Sequence, residues 1–318
     1  MSTLLLTKSD MSDLLNMEEV IGAVEQSFRD CAAGRAQMRS KVYLQLEKGD
    51  FRAMPCAVPG AAGMKWVNVH PGNRKLGLPT IMAILILNDP DTGYPTAIMD
   101  ATEITAYRTA ATSAVASKYL ARPDSHSLGL LGAGRQGRMH LKAHSVLFSL
   151  EVVRVCDVRP EAIEDFVCHF PNIEVEAASP EQVAASDIVC TLTPATKPVV
   201  QADWIKPGTH TNAVGADAPG KQELDPAILS MARVVVDDVA QACHAGEINV
   251  AIRDGLFDRA LIAASLGEII TGAKQGRENC KDITVFDSTG LAIEDLATAQ
   301  LAYDKASKRG GYATIDIV

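Results

Sequence analysis

Gly132-Ala133-Gly134-Arg135-Gln136-Gly137 is the most specific run of chemistry-bearing residues in this chain. An apolar stretch, Leu128-Gly129-Leu130-Leu131, leads into it, and a helical segment follows from Arg138. A second apolar stretch ends in Asp157, twenty residues past Gly137. In a strand–turn–helix setting the glycines have separate tasks: Gly132 permits the tight turn, Gly134 lets backbone approach a pyrophosphate, and Gly137 lets helix and strand pack closely. The helix start, with Arg135 and Gln136, offers uncommitted N–H groups and partial positive charge to the phosphates. Asp157 would accept hydrogen bonds from the adenosine ribose hydroxyls and repel a 2′-phosphate, which favours NAD over NADP. Arg159, just past Val158, pulls the other way, because an arginine can hold that phosphate.

Ligands of such sheets lie at the carboxyl ends of the strands. Three small polar clusters qualify for the nicotinamide half: Thr191-Leu192-Thr193-Pro194, Val214-Gly215-Ala216-Asp217 and Asp287-Ser288-Thr289-Gly290. Hydride transfer to an imine or oxo acid also needs a cation for the substrate carboxylate and a group that exchanges a proton. Lys65, in Gly63-Met64-Lys65-Trp66-Val67, has bulky apolar neighbours, and burial would lower its pKa into a useful range; the competing reading is a strand-edge lysine reaching solvent. Arg108 lies in an alanine-rich helix and needs an anionic partner if buried, or else sits on a solvated face. Asp217 is placed to hold ammonia or a water, or caps a turn. Arg52 and Lys41 are further cations for a substrate. His140 and His144 stand four apart, a zinc spacing, but no third ligand is evident, so an ordinary helix face and no metal are expected.

The elements that must position these residues show in the periodicity. Met17, Val20, Ile21, Val24 and Phe28 recur at helical spacing over 17–33, with Gly34 as a stop. Val42, Leu44 and Leu46 alternate as a strand, Glu47–Asp50 turns, and Phe51–Met54 returns. Met64–Val69 and Thr80–Leu87 are further strands, and Asn88–Gly93 turns the chain into Tyr94–Met99. The nearly all-apolar Ile81–Leu87 run calls for cover on both faces, with a second subunit as the candidate cover. An alanine-rich helix spans Ala101–Leu120. From there strands at Ser127–Leu131, Val152–Cys156, Ile188–Leu192, Thr209–Val214, Val234–Val236 and Ile283–Phe286 alternate with helices, the rhythm of a doubly wound parallel sheet. A helix resumes after Leu291. The expected fold is α/β: a Rossmann doubly wound parallel sheet at 121–294, plus an α+β antiparallel substrate and dimerisation domain at 1–120 on which 295–318 packs back.

The formal charge of −9 argues against nucleic acid or an anionic membrane as partner. Seven cysteines without a CxxC pair read as reduced thiols. The N-terminal apolar run is shorter than a signal peptide needs, and no stretch approaches the ~20 residues of a membrane span, so a cytoplasmic protein is expected.

Across nearly its whole length the chain resembles the ornithine cyclodeaminase/μ-crystallin family. The resemblance is carried by Lys65-Trp66-Val67-Asn68 with His70-Pro71-Gly72-Asn73, Gly77–Thr80, Asp91–Pro95, Arg108–Ala111, the glycine loop, Asn212–Lys221 and Phe286–Gly290. Lys41–Leu44, Glu47–Asp50 and Arg52–Pro55 are similar to its archaeal alanine dehydrogenase branch. The resemblance implies a homodimer sharing its antiparallel strands, and Lys65 as the active-site lysine. It implies Arg108 on the substrate carboxylate or beside the cofactor, and Asp217 as the acid that handles nitrogen. Ornithine cyclodeaminases carry a glutamate near the position of Arg52; an arginine there repels a distal ammonium and suits a short substrate with one carboxylate. Alanine with pyruvate and ammonium is therefore expected first, then a cyclic imino acid as for ketimine reductases, then ornithine or lysine cyclodeamination. A non-catalytic NAD(P)-binding protein is the remaining alternative.

Overall fold

In a computed structural model that describes residues 2–317, the chain forms two units: Met1–Thr109 with Leu291–Val318, and Ala110–Gly290. The chain leaves the first unit inside the helix Ala101–Leu120 and re-enters it ahead of the helix Ala292–Arg309. These changes, expected from the periodicity at 120/121 and 294/295, fall at 109/110 and 290/291.

The first unit is built on an eight-stranded sheet ordered Ala313–Ile315, Thr3–Leu6, Pro95–Asp100, Ile81–Asn88, Ala61–Val69, Gly49–Val58, Gln37–Met38, with Val42–Leu46 also on Gly49–Val58. All pairings are antiparallel except that of Thr3–Leu6 with Pro95–Asp100. The two terminal strands and the helix Lys8–Leu14 escaped the sequence reading, being too short to show a period. Met17–Ala32 is a helix capped by Asn16, whose Oδ1 accepts from the N–H groups of Glu18 and Glu19; its Val20, Val24 and Phe28 are buried. On Ile81–Asn88 the faces differ: Ala83, Leu85 and Leu87 are buried on one, whereas Met82 and Ile84 are exposed on the other, as is Ile81 at the strand's start.

The second unit holds an eight-stranded, wholly parallel sheet ordered Val175–Ala177, Val152–Cys156, Ser127–Leu131, Ile188–Thr191, His210–Ala213, Ile283–Asp287, Ala232–Val236, Ile262–Ser265. Strand order reverses between Ser127–Leu131 and Ile188–Thr191, the switch point at which open α/β sheets take ligands. Two edge strands, Val175–Ala177 and Ile262–Ser265, were not visible as apolar runs. A separate parallel pair, Thr196–Val200 with Gln222–Leu224, was also missed. Among the described residues no helix is long and apolar enough to cross a membrane.

Candidate active site

In the first unit the cations expected from the sequence converge on acids the sequence reading overlooked. Lys65 lies on Ala61–Val69 and is 2% exposed. Its Nζ forms an ion pair with Asp295 Oδ2 at 2.6 Å and stands 3.4 Å from Thr105 Oγ1. Arg108, also buried, donates from Nε to Asp295 Oδ1 and from Nη1 to Glu294 Oε2, each at 3.0 Å. Glu294 Oε1 accepts from Leu291 N–H, which fixes the start of the tail helix. Three elements thus meet: a strand brings Lys65, one helix Thr105 and Arg108, the tail helix Glu294 and Asp295. The solvated alternatives for Lys65 and Arg108 are excluded. The signal for the missed acids was Glu294-Asp295 within Leu291-Ala292-Ile293-Glu294-Asp295-Leu296, two carboxylates inside an apolar helical stretch.

The pKa of Lys65 is lowered to about 7: burial is the largest cause, Asp295 pulls against it, and Arg108 and Lys41 add to it. Arg108 moves the other way: burial opposes its charge, but Asp295 and Glu294 outweigh that and raise its pKa. Arg52 is opposite Val67 in register, on the same inward face as Lys65. It is buried, donates to both oxygens of Asp50 at 2.7 and 3.2 Å, and lies over the Tyr43 ring. Lys41 is half-buried just before Val42–Leu46.

In the second unit the glycine loop has the geometry its motif requires. Gly132 has φ +115°, and a Cβ there would come within 3.0 Å of Leu192 O. A Cβ on Gly137 would lie 2.3 Å from Gly132 O, while Gly134 faces open space. Gly134 caps the helix Arg135–Leu147 without any side-chain bond to its first N–H groups. Asp157 Oδ2 accepts from Ala133 N–H at 2.9 Å, and Oδ1 from Arg159 N–H and Nε. Burial raises the Asp157 pKa, but these bonds and the Arg159 charge leave it below its usual range. Val158 is almost wholly exposed beside it. At the strand ends Thr191, Val214, Ala216, Ser288 and Thr289 are buried, and Leu192 abuts the glycine turn. Thr289 is tied through N–H and O–H to Asp237, whereas Ser288 Oγ is buried with no hydrogen-bond partner. An open glycine face, an uncapped helix start and an orphaned hydroxyl at a strand end fit a dinucleotide. Asp217 is partly exposed and pairs with Lys221 Nζ at 2.5 Å.

The profile of the ornithine cyclodeaminase/mu-crystallin family matches residues 1–310. This chain belongs to that family. It is 50% identical over 308 residues to an alanine dehydrogenase of Archaeoglobus fulgidus, covering 96% of each chain. Among solved structures, an archaeal alanine dehydrogenase dimer with bound NAD superposes with a TM-score of 0.98 at 48% identity, covering 100% of both chains. A Thermococcus litoralis Δ1-pyrroline-2-carboxylate reductase, in complex with NADH and L-proline, superposes with a TM-score of 0.95 at 39% identity, covering 99% of this chain and 100% of the other. Like these family members, the chain pairs a parallel sheet with a separate, largely antiparallel one.

The histidines are not on an open helix face. His140 and His144 are buried, with pKa values near 3 and 4 because burial disfavours the imidazolium. Each Nδ1–H donates to the carbonyl four residues back, so each Nε2 accepts, from Ser113 and Ser117 hydroxyls at 2.9 and 3.0 Å. That arrangement packs the glycine-loop helix against the end of the helix Ala101–Leu120. Among the described residues no group of three or more His, Cys, Asp or Glu is arranged around a metal.

Proposed function

We propose that this NAD-dependent oxidoreductase interconverts L-alanine with pyruvate and ammonium. Lys65 carries the reading: a fully buried lysine with a pKa near 7 can be neutral or charged at working pH, as a proton-exchanging group must. Bound NAD supplies the hydride acceptor, and NADH the donor. The Gly132–Gly137 turn, with the N–H groups of Arg135 and Gln136, holds the pyrophosphate, and Asp157 beside Val158 holds the adenosine ribose. Thr191, Leu192, Thr193, Val214, Gly215, Ala216, Ser288 and Thr289 line the nicotinamide end.

Arg52, Lys41 and Arg108 grip the substrate carboxylate, the arginines held rigid beforehand by Asp50, Glu294 and Asp295. In the oxidative direction neutral Lys65 takes a proton from the substrate ammonium, so that loss of hydride from Cα leaves an iminium. Water then adds at that carbon, and nitrogen departs as ammonium, with Asp217 orienting the incoming or departing molecule. A distal ammonium would face Arg52 and Lys41, which disfavours a diamine. A second copy of the chain covers the exposed Ile81, Met82 and Ile84, giving a homodimer.

The test is NADH oxidation with pyruvate plus ammonium, run beside Δ1-pyrroline-2-carboxylate alone and ammonia release from ornithine. Turnover of pyruvate with ammonium is the expected result. A second reading, cyclic imino acid reduction, is supported by the 39% identical reductase crystallised with L-proline. It predicts turnover of the cyclic imine without any from pyruvate. Asp157→Ser is expected to raise kcat/KM for NADPH relative to NADH by roughly tenfold or more, because Arg159 is released to meet the 2′-phosphate. An unchanged ratio would place the adenosine elsewhere.

A further inference from the structure

The carboxyl edge of the parallel sheet hides a carboxylate that the mechanism above does not use. Glu223 sits in the middle of the strand Gln222–Leu224 and is fully buried. Its Oε2 accepts from Thr191 O–H and Gly215 N–H, and its Oε1 from Thr193 N–H and Thr193 O–H, all at 2.7 Å. Two donors on each oxygen saturate an ionised carboxylate. A protonated one would have to turn the hydroxyl of Thr191 or Thr193 from donor into acceptor. Burial pushes the Glu223 pKa up, and the four donors pull against it without bringing it back to the ordinary value.

The cage joins the ends of two neighbouring strands, Ile188–Thr191 and His210–Ala213, on the side of the switch point next to the glycine turn. It is tight: a Cβ on Gly215 would lie 2.6 Å from Glu223 Oε2 and 2.0 Å from Thr193 O. It is also anchored from behind. Glu247 accepts from the N–H groups of Glu223 and Leu224, and its own N–H donates to Asp287 at the end of the next strand. Among the described residues every hydrogen-bond donor to the Glu223 carboxylate is a neutral dipole, so its charge is held in a dry place without a cation on it.

We propose that Glu223 is a positioning residue for the nicotinamide end of the dinucleotide. Its carboxylate locks the two strand ends in the shape that receives the ring, and its charge favours the oxidised, cationic ring over the neutral reduced one. The proposal rests on the dinucleotide reading given above. A buried anion acts over several ångströms through poorly screening protein, whereas a loss of shape alone weakens both redox states alike.

The experiment is calorimetric titration of ADP-ribose, NAD+ and NADH into the full chain and its Glu223→Gln variant. Glutamine keeps the volume, removes the charge, and turns an N–H2 toward a backbone N–H. Expected are an ADP-ribose Kd within about twofold of wild type and an NAD+ Kd weakened about tenfold more than that of NADH. Wild-type binding with an equal change for both redox states, or with no change, overturns this proposal alone. Absence of all binding by the wild type overturns the dinucleotide reading as well. If Glu223→Gln does not fold, Thr191→Val, which removes one of the four donors, is read instead. It should shift the NAD+/NADH ratio in the same direction by about threefold, and an unshifted ratio overturns the proposal.

Discussion

Replacing Lys65 by methionine is expected to lower kcat roughly a thousandfold in both directions while NAD binding persists, since a positioned acid–base group contributes about 10²–10⁴-fold. The signs of the pH dependence follow from which protonation state works. In the proposed mechanism oxidation needs neutral Lys65, so its rate is expected to climb through about pH 7 as the ammonium form is lost. Reductive amination needs the charged form as proton donor, so its rate falls over the same interval. Initial rates from pH 5.5 to 9.5 in both directions check this. A methionine variant that keeps the edge near 7, or more than about a tenth of the activity, removes Lys65 from the proton path.

Asp295→Ala is expected to cost about 3–5 kcal/mol in denaturant unfolding, because Arg108 and Lys65 stay buried with one anion fewer. Asp295→Asn is gentler and separates stability from tuning. Asp295 raises the Lys65 pKa, so its loss moves the acid edge of oxidation to lower pH. The variant then keeps a larger share of its maximal rate at pH 6 than wild type does. An edge that stays put or moves upward shows that Asp295 does not set the lysine's affinity for its proton. A drop in stability under 1 kcal/mol for the alanine variant shows that the pair is solvated in the free protein.

What the sequence disclosed follows from the range of each interaction. The glycine loop was legible because its requirements are local: φ +115° at Gly132 and the close approach at Gly137 are met within a few residues. The alternation of Val42, Leu44 and Leu46 and the alanine-rich run from Ala101 were legible for the same reason. Lys65 and Arg108 could be named as cations in apolar surroundings, but their anions could not, since Asp295 is 187 residues from Arg108. Glu223 was hidden differently. Its strand is three residues long, and a single glutamate between Gln222 and Leu224 carries no mark of four donors arriving from the ends of two other strands and the loops just past them. Val175–Ala177 and Thr3–Leu6 were too brief to declare a period.

The return of the tail helix has a consequence for the order in which the molecule is made. Synthesis delivers Lys65 about 230 residues ahead of its counter-ion, so the growing chain holds that lysine in an unfinished pocket until Asp295 has emerged. A protease that cuts upstream of Glu294 would leave the parallel sheet whole and strip Lys65 and Arg108 of their buried anions in one step.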